Sequence, residues 1–134
     1  MNYWLVKSEP VKYAWEVFEK DKKTVWDGVR NYQARNNIRD MKKSDLVLFY
    51  HSNEGKEVVG IAKVVKEHFQ DPTSDDAAWL SVELSPVKRL KKPVGLDVIK
   101  SDKLLQNIAL VRNGRLSVMP LTEDEFNRIV SLGA

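Results

Sequence analysis

Four stretches of the chain have the hydrophobic pattern of β-strands, and together they predict one curved sheet: residues 3–8, 46–52, 58–67 and 79–86. In the last stretch Leu80, Val82 and Leu84 alternate with polar side chains, as in a strand with one face against the core. The stretch "DLVLFYHS" is apolar on both faces, which favours a central strand covered on two sides. Gly60, inside the third stretch, indicates a bend or a barrel corner. Shorter strands are predicted at "TVWDG" and "RLSVM".

Helical spacing marks three further segments: "AWEVFEKDKK", "NYQARNNIRDMKK" and the C-terminal stretch "EDEFNRIV". In the second segment Ala34 and Ile38 lie one helical turn apart and should face the core. Before the third, Thr122 and Glu125 have the spacing of a capping box. Short helical pieces are also expected within "LDVIKSDKLLQ". The whole pattern predicts a single α+β domain spanning residues 1–134, with five to six mainly antiparallel strands and short peripheral helices.

The composition is that of an ordinary globular domain, since 43% of the 134 residues are hydrophobic and 31% are charged. No apolar stretch has the length of a membrane span. Lys7 and Glu9 interrupt the N-terminal segment, which therefore lacks the apolar core of a signal peptide. These features predict an intracellular, cytoplasmic monomer with no membrane partner.

The residue types that metal, cofactor or catalytic chemistry requires are scarce. The chain has no cysteine and only two histidines, so a structural zinc site is not expected. The six glycines are scattered and cannot form a phosphate-binding loop. No nucleophile-elbow motif is present. We therefore expect no metal, no cofactor and no enzymatic activity.

Positive charge is concentrated on one part of the chain. The totals are nearly balanced, with 22 Lys and Arg against 19 Asp and Glu, but residues 28–43 are strongly basic. Within them Arg35, Arg39 and Lys42 recur at helical spacing beside the apolar positions. Such a stripe is either a solvated helix face or a surface that contacts a polyanion such as nucleic acid. A second basic cluster is "KRLKK", residues 88–92.

The segment "WDGVRNYQARNN" combines a tryptophan, a tyrosine, amides and arginines, which are groups that can stack on a nucleobase and bond its edges and phosphates. Polar residues also follow predicted strands at "KSEP" and "YHS", and strand ends that converge form a natural ligand pocket. We predict that Trp26 and Tyr50 are its walls. Structural roles are equally open, since Trp26 could belong to the core, Asn31 could cap a helix and His51 could bond a backbone carbonyl.

Five motifs occur in an order that resembles the EVE domain family: "YWLVKSEP", "WDGVRNYQARNN", "DLVLFYHS", "VVGIAKVV" and "RLSVMPL". The resemblance implies a PUA-like pseudobarrel and a pocket that accepts a modified base rotated out of a nucleic acid. The residues then predicted to form the base pocket are Ser8, Trp26, Asn31, Tyr32, Tyr50, His51, Ser52 and Ser117. Those predicted to contact the nucleic-acid backbone are Lys7, Arg30, Arg35, Arg39 and Lys42. Asn113 and Gly114 depart from the larger polar pair expected before "RLSV".

The sequence therefore predicts a non-enzymatic reader of a modified cytosine or adenine in DNA or RNA. One alternative is a small ASCH-like enzyme acting on modified nucleosides, with Lys7 and Glu9 as an acid–base pair. On an extended strand, however, these two side chains face away from Ser8. Another alternative is a protein-interaction module that uses "KRLKK" and the acidic C-terminal helix.

Overall fold

A six-stranded mixed sheet and five short helices make up the fold, and the computed structural model describes all of residues 1–134. The strands are β1 (Tyr3–Ser8), β2 (Thr24–Trp26), β3 (Leu46–His51), β4 (Glu57–Gln70), β5 (Leu80–Gly95) and β6 (Val118–Leu121). The helices are α1 (Trp15–Asp21), α2 (Tyr32–Asp40), α3 (Leu96–Ser101), α4 (Ala109–Arg112) and α5 (Glu123–Leu132), with a 3-10 turn at Lys103–Leu105. None of these helices has the length and apolar character needed to cross a membrane.

The strand order is β2–β5–β4–β3–β1–β6, and every pairing is antiparallel except that of β1 with β3. The predicted α+β class and the mainly antiparallel, PUA-like sheet are therefore confirmed. Irregular pairing between β4 and β5 bends the sheet, because the register shifts at several points along the two strands. One shift lies at Gly60, where an added Cβ would stand 2.5 Å from the ring of Trp15. Glycine is required there because α1 packs its tryptophan directly on the strand backbone.

Strand β5 is longer than the sequence pattern predicts, since it continues through the charged stretch "KRLKKPVG" to Gly95. Lys88 pairs with Ile61 and Arg89 with Gly60, so backbone pairing with β4 continues where the hydrophobic alternation stops. Most side chains in this half of β5 are charged and exposed, so the hydrophobic pattern does not predict a strand there.

The core holds a cluster of aromatic rings around Phe49. Trp15 and Phe18 of α1 are fully buried, and Phe18 stacks on Phe49 with 5.4 Å between the ring centroids. Trp15 and Trp26 meet the Phe49 ring edge-on at 5.3 Å and 5.6 Å. Such offset and edge-to-face contacts are the favourable arrangements for aromatic side chains. These contacts join α1, β2 and β3 in the core.

The predicted helix ends are also found. The side chain of Asn31 accepts a hydrogen bond from Ala34 N at 2.9 Å and so caps α2. At the start of α5, Thr122 and Glu125 form the reciprocal capping box. Helix α2 buries Ala34 and Ile38, which leaves its charged positions on the outer side.

Candidate nucleic-acid interface

A cleft of about 530 Å³ opens where the two margins of the curved sheet approach each other. Strand β1 and its following turn supply Lys7, Ser8 and Glu9, and Ser117 adds the chain just before β6. The opposite wall is β2 and the loop from Trp26 to Arg30. Strand β2 lies at one edge of the sheet and β1 next to the other edge, so the cleft is the seam at which the pseudobarrel stays open.

The aromatic part of the cleft is made by Trp26 and Tyr13. Trp26 is 9% exposed, and the remainder of its ring packs against the core. Tyr13 is half-buried and meets Trp26 edge-on, with 6.5 Å between ring centroids. The Tyr13 hydroxyl donates to Asp21 at 2.9 Å, which orients the phenol ring. Trp26 is therefore both a core residue and part of the cleft surface.

Polar groups surround these rings. The ammonium group of Lys7 donates to the carbonyl of Gly114 at 2.6 Å, and burial lowers the pKa of this lysine. Two further Nζ–H donors of Lys7 remain for a ligand. The hydroxyl of Ser8 donates to the carbonyl of Tyr13 and keeps its lone pairs as acceptors. Glu9 and Asp27 add carboxylates at the rim. The cleft thus offers both donors and acceptors beside an aromatic surface.

A buried carboxylate, Asp71, holds the loop that carries Trp26 and Arg30. Its Oδ2 accepts from Gly28 N at 2.8 Å and from Arg30 Nη1 at 2.9 Å, and its Oδ1 accepts from the backbone N and the hydroxyl of Thr73 at 2.7 Å and 2.6 Å. Burial by itself would raise the pKa of Asp71, but the hydrogen bonds from Arg30, Thr73 and Gly28 hold it well below its usual range. Gly28 adopts a φ of 77°, which glycine accepts without strain. Asp71 therefore anchors one wall of the cleft.

Three of the eight predicted base-pocket residues line this cleft: Ser8, Trp26 and Ser117. Tyr50 does not, because its side chain is only 3% exposed, and burial raises the pKa of its hydroxyl. His51 lines a separate cleft of about 330 Å³, and its Nε2 accepts a hydrogen bond from Trp15 N at 3.0 Å. Of the three residues predicted at one mouth, Trp26 therefore lines the first cleft, His51 lines the second with its imidazole facing the start of α1, and Tyr50 is buried.

The remaining predicted pocket residues also lie outside the cleft lining. Asn31 uses its side chain as the cap of α2. Ser52 follows β3, and its backbone N donates to the carbonyl of Ser8 at 2.9 Å. Tyr32, the first residue of α2, is 61% exposed and packs on Trp79. In the folded chain, therefore, two of these residues lie at the start of α2 and Ser52 pairs with the end of β1.

The predicted backbone-binding residues divide into three groups. Lys7 and Arg30 line the cleft itself. Arg35 is half-buried, and its Nη1 donates to the carbonyl of Ala78 at 2.8 Å. Arg39 and Lys42 are exposed. The basic stripe therefore continues outward from the cleft, although Arg35 also has a structural contact.

Sequence reasoning missed several residues of the cleft, chiefly Lys12, Tyr13, Thr24 and Asp27. Glu9, which the sequence named only in the alternative acid–base pair, also lines the cleft. Tyr13 lies in the turn before α1 and belongs to no periodic pattern, so only the folded chain reveals it. Lys7, Ser8 and Glu9 all line the cleft, and β1 ends at Ser8, so the alternation of a continuing strand does not apply to Glu9.

Comparison with known proteins places this chain in a family. The EVE domain family matches residues 2–132. Mouse thymocyte nuclear protein 1 is 37% identical over 165 aligned residues, which cover 98% of this chain and 73% of the mouse protein. A crystal structure of a protein from Agrobacterium tumefaciens has a TM-score of 0.97 at 44% identity and covers 100% of this chain and 94% of that one.

Two further solved structures share the fold. The human THYN1 protein, solved in complex with DNA containing 5-methylcytosine, has a TM-score of 0.92 at 35% identity, covering 99% of this chain and 98% of that one. ASCH from Zymomonas mobilis has a TM-score of 0.61 at 13% identity, covering 98% and 96%, and this likeness concerns the fold alone. The match of the family to nearly every residue, together with relatives of this identity and coverage, shows that the chain belongs to the EVE domain family.

Proposed function

We propose that this protein is a nucleic-acid-binding reader that holds a modified base, turned out of its strand, in the cleft beside Trp26. The observation that carries the proposal is the fold shared along the whole chain with human THYN1, which was solved with DNA containing 5-methylcytosine. 5-Methylcytosine in DNA is therefore the first candidate ligand. The proposal includes an intracellular monomer, as the sequence predicts.

The cleft has the chemistry that a cytosine ring requires. A flipped base loses its stacking neighbours at a cost of a few kcal/mol, and contact with an aromatic side chain returns about 1–3 kcal/mol. Trp26 and Tyr13 supply that contact. The amino group of cytosine donates hydrogen bonds that carboxylates accept well, and Glu9 and Asp27 lie at the rim. Stacking and unstacking nearly cancel, so polar contacts and room for the modifying group provide selectivity.

Phosphate contacts come from the cations on and beside the cleft. Lys7, Lys12 and Arg30 line it, and Arg39 and Lys42 extend the positive surface along and beyond α2. Arg30 keeps free N–H donors after bonding Asp71, Thr73 and the carbonyl of Val29, since a guanidinium has five. Such contacts fix the position of the strand without reading the base.

A binding screen tests this function. Oligonucleotides that differ in one central base (cytosine, 5-methylcytosine, adenine or a modified adenine) are compared in DNA and in RNA at fixed salt. We expect one modified base to bind more tightly than its unmodified parent, by about tenfold or more, because one well-made polar contact in a desolvated pocket is worth about 1–3 kcal/mol. Equal affinity for every base would contradict reading, and no binding at all would contradict the proposal as a whole.

Salt dependence tests the basic stripe. If about three to five cations contact phosphates of a duplex, the slope of log affinity against log salt should be roughly −3 to −4. Arg39→Ala should weaken binding to modified and unmodified oligonucleotides alike and reduce the slope by about 1. Lys100→Ala, which removes an exposed positive charge of α3, is the matched control and should leave the slope unchanged. A salt-insensitive complex would mean that the stripe is a solvated helix face.

A small enzyme acting on modified nucleosides is the second candidate, favoured by one observation. Lys7, Ser8 and Glu9 all line the cleft, and burial lowers the pKa of Lys7, which brings it nearer to the range of a general base. Incubation with modified cytidines and adenosines, followed by chromatography, separates the two functions. A reader leaves every nucleoside unchanged, whereas an enzyme produces a new peak that Lys7→Met abolishes.

A further inference from the structure

Two aromatic rings, one exposed and one half-buried, pack on each other beside the cleft. Tyr32 begins α2 and Trp79 immediately precedes β5, and their ring centroids lie 4.8 Å apart with the planes tilted by 31°. Neither ring belongs to the hydrophobic core, and Tyr32 is 61% exposed. Tyr32 therefore presents aromatic surface to solvent, and the half-buried Trp79 supports it.

Arginine side chains hold both rings. The guanidinium of Arg30 lies 5.6 Å from the centre of the Trp79 ring, and that of Arg35 lies 5.3 Å from the centre of the Tyr32 ring. Arg35 also donates to the carbonyl of Ala78 at 2.8 Å, which ties the residue before Trp79 to α2. The rings are thus preorganised and flanked by positive charge. A ligand that is both flat and anionic, such as a nucleotide, matches this combination.

Arg30 joins this aromatic pair to the cleft, because it lines the cleft and also covers Trp79. When a base is turned out of a strand, the base next to it loses a stacking neighbour. An aromatic surface one residue beyond the pocket can replace that neighbour. Since every base has a flat face, such a surface accepts any base and reads no modification.

We infer that Tyr32 and Trp79 form a second stacking site, which binds the unmodified base adjacent to the one held in the cleft. This inference rests on the proposed function. Tyr32 then contacts the neighbouring base and not the modified base in the cleft. The ligand class is an unpaired nucleobase of the same strand, with its phosphates near Arg30 and Arg35.

The test combines a protein variant with an altered oligonucleotide. The oligonucleotide carries the preferred modified base, with an abasic residue placed on its 5′ side or on its 3′ side. For wild-type protein, one of these changes should weaken binding by about 5- to 150-fold, the range that about 1–3 kcal/mol of base stacking corresponds to. Tyr32→Ala should weaken binding of the intact oligonucleotide by a similar factor, and the abasic change should then have no further effect, because the same contact is already lost.

Tyr3→Ala is the matched control. Tyr3 forms a similar aromatic pair with Phe126, with 4.8 Å between the ring centroids, but it lies at the opposite end of β1 from Ser8. Its hydroxyl donates a hydrogen bond to the carboxylate of Glu123. This variant should respond to the abasic residue as the wild type does. An unchanged affinity in Tyr32→Ala, or an abasic effect of equal size in Tyr32→Ala and wild type, would overturn the second stacking site.

Failure of this inference differs from failure of the proposed function. If Tyr32→Ala binds as the wild type does and both prefer the modified base, the proposed function stands and only the second stacking site is refuted. If the wild type prefers no modified base, the proposed function itself fails. Loss of affinity in Tyr32→Ala with an unchanged preference for the modified base supports both.

Discussion

Replacing Asp71 with asparagine should lower the free energy of unfolding by about 3 kcal/mol, because it removes one partner from a buried, charged hydrogen-bond network. Four donors from Gly28, Arg30 and Thr73 converge on the two carboxylate oxygens. An asparagine has one acceptor oxygen, so its NH₂ group would face two of these donors. For a domain of this size the melting temperature should fall by about 10 °C.

The stabilisation that Asp71 provides should decrease at low pH. The folded pKa of Asp71 lies well below its value in the unfolded chain, so the stabilisation is present above about pH 4 and is lost as the pH falls further. The stability gap between wild type and Asp71→Asn should therefore be constant from about pH 8 to pH 5 and narrow below about pH 4. Asp75→Asn, an exposed position in the same loop, is the control and should change stability by less than about 0.5 kcal/mol. A gap that persists unchanged at pH 3 would contradict the ionised anchor.

Trp26→Ala should have two separable effects. The ring is 9% exposed and packs against Phe49 and Tyr13, so its removal should cost about 3–5 kcal/mol of stability. It should also reduce the preference for the modified oligonucleotide by about fivefold or more, since stacking on an aromatic ring contributes at least about 1 kcal/mol. The affinity ratio of modified to unmodified oligonucleotide, measured at a temperature where the variant is folded, reports the second effect alone.

Trp4→Ala controls for the loss of a core tryptophan. Trp4 is 5% exposed and donates its ring N–H to Asp45 at 3.0 Å, away from the cleft lining. It should destabilise the domain by a similar amount and leave the affinity ratio unchanged. If Trp26→Ala remains folded and also keeps the ratio, Trp26 does not contact the base and its ring serves the core only.

The elements of the fold were predictable where one face of the chain is buried. Strands β1 and β4 follow from their hydrophobic patterns and β3 from a run that is apolar on both faces. Helices α2 and α5 follow from apolar spacing with the caps at Asn31 and Thr122. The second half of β5 was not predictable, because its side chains are charged and exposed and only backbone pairing with β4 makes it a strand.

The candidate site was only partly predictable, because it depends on contacts between distant residues. Trp26 and Ser8 were predicted as site residues because they lie at strand ends. The cleft that they line forms only when the two margins of the sheet approach each other, and the local sequence pattern does not predict this approach. The Arg30–Asp71 pair joins residues 41 positions apart. His51 lines a different cleft, where its imidazole accepts a hydrogen bond from Trp15 N at the start of α1.

The most direct test of base reading in the cleft is nuclear magnetic resonance of the protein bound to an oligonucleotide whose single 5-methylcytosine carries a ¹³C-labelled methyl group. A base held in the cleft predicts nuclear Overhauser effects from that methyl group to ring protons of Trp26 or Tyr13, and loss of those to the neighbouring bases. A methyl group that keeps its contacts with the neighbouring bases and shows none to either ring would contradict the account.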